Sequence, residues 1–268
     1  MKFLHFLILL LPFIASCSNT PKHPQAELIN KNTPAVVTEQ AILQLADSIT
    51  SNLSAFEKQN SLVFYLDDVS FYVEKYSHNG DPVLFRTYTE NEGITSRTGE
   101  YYFNNDSLVL VRESSRIMKQ TGEIVAEKRT YLRNNIAFKM ESRAALSSSS
   151  LSSKKFQTNK QMDTGKEDFN AIIRTLNDAL TGSNKFDLVF ENVISSPHEK
   201  HIQLKSKIPN GYSADIVVRE DDSFIDSLET EPLLFKDTKL DFKWEIKDKE
   251  AVYVPVGANV TSANGLKR

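Results

Sequence analysis

From Leu62 to Arg143 apolar and polar residues alternate in short runs, and each run stops at a cluster of turn residues. Alternation is the period of a half-buried strand, because successive side chains point to opposite faces. LVFYL and VSFYVEKY are separated by Asp67-Asp68. HNGDP carries Asn79-Gly80, the strongest short hairpin signal. VLFRTYTE leads to Asn91-Glu92-Gly93, and TGEYYF leads to Asn104-Asn105-Asp106 before SLVLVRES. EIVAEKRTYLR leads to Asn134-Asn135 before IAFKMES. Connections this short join antiparallel neighbours. The region therefore predicts a meander of hairpins.

Weak internal repetition supports that reading. YYFNNDSLVLVRES and TYLRNNIAFKMES both run aromatic, apolar, polar pair, alternating strand, Glu-Ser. EKYSHNGDPVLFR is a looser third copy. A repeat of roughly 26 to 30 residues fits hairpins that cannot bury a face alone.

A helix is expected before the meander. Thr38 is a plausible N-cap, and Ile42, Leu45, Ile49, Leu53 and Phe56 recur at helical spacing. The pattern predicts an amphipathic helix over about 38–58. A sheet with one greasy face needs such a cover. Residues 38–145 thus read as a helix plus an antiparallel β-meander.

The serine cluster SSSSLSSKK opens a polar stretch at 146–162 that cannot pack a core and reads as a linker. Beyond it, Thr164-Gly165-Lys166-Glu167 has the pattern of a capping box. Phe169, Ile172, Ile173, Leu176 and Ala179 form the apolar face of the helix that follows, and Gly182 lies where a C-cap glycine belongs. FDLVFENVI, KHIQLKSKI, YSADIVVRE, KLDFKWEIK and AVYVPV are strand-like, with a tight turn at Pro209-Asn210-Gly211. The fold class is therefore α+β and β-rich. A second small module is expected over 163–257, a helix with a sheet or an OB-like barrel, followed by a frayed tail over 258–268.

The first residues are different in kind. Lys2 is followed by an almost wholly apolar run from Phe3 to Ala15. That is too short to span a bilayer and has the length of a signal-peptide core. Ile14-Ala15-Ser16-Cys17 follows, a branched apolar residue and two small ones before the only cysteine of the chain. This tetrapeptide resembles the lipobox of bacterial lipoproteins. The resemblance covers the first 17 or so residues. It implies removal of residues 1–16 as a signal peptide and a thioether-linked diacylglyceryl on Cys17. The thiolate is the side-chain nucleophile suited to that acylation. Two or more acyl chains make anchoring stable. Ser18, rather than an aspartate, follows the cysteine, which by the same resemblance favours the outer membrane. Residues 17–37, polar and with Pro21, Pro24 and Pro34, then read as a flexible lipidated tether.

With its cysteine so used, the folded part has no disulfide to rely on and must be held by its core. Net charge is −3 and no basic stripe stands out, so nucleic acid is not expected as a partner. The implied partner is the membrane, through the lipid on Cys17, with an envelope protein or an apolar ligand as further candidates. No cofactor is expected.

No catalytic constellation emerges from the sequence. There is no G-x-S-x-G and no glycine-rich phosphate loop. His198 and His201, in HEKH, are the candidate metal ligands. A strand follows them, and residues three apart on a strand face opposite sides, so the pattern reads as a polar turn and no metal is assigned. Asp67, Asp68, Asp221 and Asp222 are the carboxylates that a glycan-acting enzyme would use, and they also suit solvated turns. Trp244 reads as core. Tyr65, Phe71, Tyr72, Tyr101, Tyr102 and Tyr131 are dense enough to make a ligand-binding sheet face, and are also what any sheet prefers. The sequence thus points to an envelope lipoprotein that binds or scaffolds, with a carrier or sensor of an apolar ligand and a glycan-acting enzyme as alternatives.

Overall fold

The computed structural model describes residues 38–159 and 167–256, together with the backbone of Asn264 and Gly265. Cys17, the signal segment and the tether lie outside the described residues, as do Thr164, Gly165 and Lys166.

Helix α1 spans Glu39–Ser51 and buries Ile42, Ala46 and Ile49. It ends earlier than the spacing predicted. A 3-10 turn at Leu53–Ala55 follows, and Glu57–Asn60 then form strand β1. The meander comes next: β2 (Phe64–Leu66), β3 (Val69–His78), β4 (Asp81–Asn91), β5 (Thr95–Asn104), β6 (Ser107–Lys119), β7 (Gly122–Arg133) and β8 (Ile136–Ala145). Neighbours pair antiparallel in chain order. Asn79 and Gly80 have φ of 52° and 88°, and Asn134 and Asn135 have 52° and 61°. Those are the left-handed values that a two-residue turn needs to match the strand twist, which is why Asn and Gly occupy them.

The sequence repeat has a physical counterpart. The ladder slips between Tyr76 and Ser77, between Tyr102 and Phe103, and between Tyr131 and Leu132. All three tyrosines are buried. Each donates its hydroxyl to a glutamate on the sheet: Tyr76 to Glu74 at 3.0 Å, Tyr102 to Glu100 at 2.8 Å, Tyr131 to Glu141 at 3.0 Å. The register lines them up as Tyr76–Leu84–Tyr102–Leu110–Tyr131–Lys139 across six strands. Helix α1 lies on this face. Thr50 bonds the Tyr102 hydroxyl at 2.8 Å, Asp47 pairs with Arg112 at 2.7 Å, and Glu39 pairs with Lys139.

The Ser-rich stretch expected as a linker packs against the sheet. Ser147 caps a short helix α2 (Ser148–Leu151), Leu151 is buried, and β9 (Gln157–Thr158) pairs with β8. Helix α3 (Phe169–Thr181) is capped by Asp168, whose side chain accepts from the Ala171 N–H. This corrects the expected capping box, because Glu167 is used in an ion pair with Lys128 instead. Gly182, at φ 58°, ends the helix as expected.

The remaining strands are β10 (Leu188–Ser195), β11 (Lys200–Ser206), β12 (Ser213–Val218), β13 (Lys243–Lys247), β14 (Glu250–Val254) and β15 (Asn264–Gly265), with helices α4 (Ser223–Thr230) and α5 (Pro232–Phe235) between β12 and β13. Of the two alternatives for the second set of strands, a sheet or an OB-like barrel, the barrel is not formed. β12 runs parallel to β14, antiparallel to β11, and meets β2 at Ser213↔Tyr65, so the second set of strands extends the meander sheet and leaves it open. Nor does the sheet break into two modules. One hydrophobic cluster contains Phe64, Val73 and Phe85 of the meander, Leu176 and Ala179 of α3, and Ile202, Ile216 and Trp244 of the later strands. The architecture is α+β, with α1 on one face of the meander and α3 on the other.

Candidate functional site

The face of the meander turned away from α1 carries the rows Phe71–Thr89–Arg97, Val73–Thr87–Gly99–Glu113 and Phe85–Tyr101–Val111. With α3 and Tyr212 they enclose a cleft of about 540 Å³. One wall is aromatic. Phe186 stacks on Tyr212 at 4.9 Å and on Phe71 at 6.1 Å between ring centroids. The Lys185 ammonium sits over both Phe186 and Tyr212.

Gly99 lies between two lining residues, Thr87 and Glu113, in its cross-strand row. A Cβ there would lie 2.7 Å from Thr87 Oγ1 and 3.2 Å from the Tyr101 ring. The glycine lets the Thr87 hydroxyl accept from the Gly99 N–H at 3.2 Å. Glycine inside a strand marks such a close approach.

The opposite end of the cleft is charged. Glu113 pairs with Arg97 and with Lys128, the latter at 3.1 Å, and Lys128 also reaches Glu167 at 3.1 Å. Burial pushes the Glu113 pKa up, but Arg97 and Lys128 outweigh it and hold the carboxyl below its ordinary range. Burial, with Glu113 as a nearby negative charge, pushes the Tyr101 hydroxyl up to about 12. At neutral pH the carboxylate is ionised and the phenol keeps its proton. General acid–base work favours a pKa near the operating pH, and both groups are moved away from it. What the cleft offers is fixed charge, a phenolic donor and flat ring surfaces.

The residues singled out in the sequence are dispersed. Asp67 and Asp68 make the two-residue turn between β2 and β3, with Asp67 at φ 51°. Asp221 pairs with Lys200 at 2.8 Å. Asp222 caps α4 by accepting from the Phe224 and Ile225 N–H groups, and also accepts from the Tyr253 hydroxyl and the Val256 N–H, both at 2.8 Å. His198 is exposed in a turn. His201, on β11, has Nε2 3.4 Å from Glu199, and its Nδ1 is buried without a partner. Among the described residues no group of three or more His, Cys, Asp or Glu converges as a metal site.

Of the flagged aromatics, Phe71 and Tyr101 line the cleft, whereas Tyr72, Tyr102 and Tyr131 face the α1 side. Arg97, Glu113 and Lys185 were not singled out. Gly99 within an alternating strand was the available signal. No helix among the described residues is long and apolar enough to cross a membrane. Compared with protein-family models, with curated proteins and with solved structures, the chain finds no match.

Proposed function

We propose that this chain is a lipid-anchored binding module of a bacterial cell envelope, and that its ligand occupies the cleft between α3 and the meander. The observation that carries the binding role is the cleft itself, walled by the stacked rings of Phe71, Phe186 and Tyr212 and bounded at its other end by the Arg97–Glu113 ion pair. The resemblance of Ile14-Ala15-Ser16-Cys17 to a lipobox supports the anchor. The ligand best suited to the walls has a flat or apolar part against Phe71, Phe186 and Tyr212 and a polar end at Arg97 and Glu113.

A carrier of apolar ligands is the second reading, favoured by the stacked Phe186–Tyr212 wall. The α1 side of the sheet suits that role less, since Ile42, Ala46 and Ile49 are buried there and Thr50, Asp47 and Glu39 tie the helix to the sheet.

Native mass spectrometry of the full chain, before and after denaturation, tests both readings. A bound species lost on denaturation, and lost in Tyr212→Ala, supports the cleft, and its polarity separates the two. Retention of that species in Tyr212→Ala and Arg97→Gln would place the ligand elsewhere. The anchor is tested by metabolic labelling with a palmitate analogue, which Cys17→Ser should abolish.

A further inference from the structure

On the α1 side of the meander a second row crosses the sheet: Glu74–Arg86–Glu100–Arg112–Arg129–Glu141, each the direct cross-strand partner of the next. The signs alternate except at one step. Arg112 and Arg129 stand opposite each other across β6 and β7. Like charges directly opposite on a sheet are destabilising, so this step needs compensation.

The compensation within the chain is partial. Arg112 uses one terminal nitrogen on Asp47, while its Nε is buried without a partner. Arg129 has no ion pair among the described residues. Its guanidinium carbon lies 3.7 Å from the centroid of the Phe156 ring, which also carries Arg143 at 4.5 Å. Stacking occupies the face of a guanidinium and leaves its in-plane N–H donors available. Arg143 is already bound to Glu127, and Glu100 is bound to Arg86. Glu141, the cross-strand partner of Arg129, acts on it electrostatically but spends its oxygens on Lys139 and Tyr131, so Arg129 is left without a direct carboxylate partner.

These groups surround a recess of about 290 Å³ to which Thr98 and Ser114 add hydroxyls. Two guanidinium groups and two hydroxyls present donors from several directions, which suits a tetrahedral oxyanion better than a planar carboxylate. We propose that this recess binds a phosphate group, held by Arg129 and Arg112 beneath the Phe156 ring. Arg112 and Arg129 belong to the face of the sheet opposite the α3 cleft, and Glu113 and Lys128, paired with each other at the charged end of that cleft, also border the recess.

The test is a thermal-shift and calorimetric titration of the full chain in detergent, with inorganic phosphate and with glycerol 3-phosphate, at constant ionic strength in chloride. Saturable stabilisation by about 10 mM ligand is expected. Arg129→Gln should weaken binding at least about tenfold. Arg174→Gln, a guanidinium on α3, should leave it unchanged. In phosphate-free buffer Arg129→Gln should be at least as stable as the wild type, because it removes the like-charge step. That readout separates a ligand site from a merely structural arginine. A larger response to glycerol 3-phosphate assigns the source to a phosphoester such as a lipid headgroup, and an equal response assigns it to free phosphate. No stabilisation of the wild type by either, or equal stabilisation of Arg129→Gln, would overturn the proposal.

Discussion

The indole N–H of Trp244 donates to the carbonyl of Ser61 at 3.2 Å, joining positions 183 residues apart. Ser61 is fully buried and its other polar groups are also used: its N–H donates to the Val73 carbonyl at 2.8 Å and its hydroxyl accepts from the Val73 N–H at 2.9 Å. The contact ties β13 to the start of the meander. Trp244 is the only tryptophan, so its fluorescence reports this junction. Unfolding in urea followed by fluorescence should coincide with unfolding followed by far-UV circular dichroism, as for one cooperative unit. Trp244→Phe leaves the Ser61 carbonyl unpaired and should cost about 1–3 kcal/mol, read from the shift in the circular dichroism midpoint. Two resolved transitions would contradict the shared core.

Gly99→Ala should destabilise the protein by about 1–3 kcal/mol, because the new methyl meets Thr87 Oγ1 at 2.7 Å. Thr87→Ala removes that oxygen. The double variant should therefore lose less than the two single variants added together. A denaturation cycle measures the coupling. Strict additivity would show that the close approach carries no strain.

Asp222→Ala should cost about 1–2 kcal/mol at neutral pH through the lost helix cap. Burial raises the Asp222 pKa, but its bonds from backbone N–H groups and Tyr253 bring it below the ordinary value. A depressed folded pKa means the carboxylate stabilises the fold above its unfolded pKa, and that stability disappears as pH falls through the folded one. The gap between wild type and variant should accordingly close as pH falls below about 4. A gap independent of pH would exclude the charged cap as its cause.

The three repeated tyrosines allow a graded comparison. Tyr76→Phe and Tyr131→Phe each lose one bond to glutamate, while Tyr102→Phe loses bonds to both Glu100 and Thr50. Losses of about 0.5–1.5 kcal/mol are expected for the first two, with a larger one for Tyr102→Phe. Asp47→Ala should cost under about 1 kcal/mol, because that carboxylate is 67% exposed and screened by water and salt. Thermal denaturation of the four variants in low and high salt checks the order.

The meander was legible because its information is local. Period-two alternation and left-handed asparagines specify strands and turns without reference to distant residues, as at Asn79-Gly80 and Asn134-Asn135. β1 was hidden, since EKQN has no apolar alternation and pairs with β3 by backbone bonds from Glu57↔Ser77 to Asn60↔Glu74. Helices α4 and α5 were overlooked among acidic turn residues, although Asp222 and Pro232 are a helix cap and a first-turn proline. The barrel alternative, and the second module as a sheet of its own, were not met for another reason. The parallel pairing of Ile216 with Ala251 and the meeting of Ser213 with Tyr65 are non-local and leave no mark on either segment alone. The cleft was half visible: Phe71 and Tyr101 stood out by chemistry, while Arg97 and Glu113 looked like ordinary solvent-facing charges in alternating strands.

The three hairpins that repeat a buried tyrosine, a slipped ladder and a two-residue turn beginning with Asn79, Asn105 or Asn134 form a unit that DNA duplication could copy whole. A copied hairpin would arrive with its tyrosine already on the α1 side, because the slip and the turn fix which side chains face which way. The sheet could gain or lose strands in pairs during evolution without turning any existing residue inside out. The reach of α1, the long helix among the described residues on that side, would then limit how wide such a sheet could grow and still be covered.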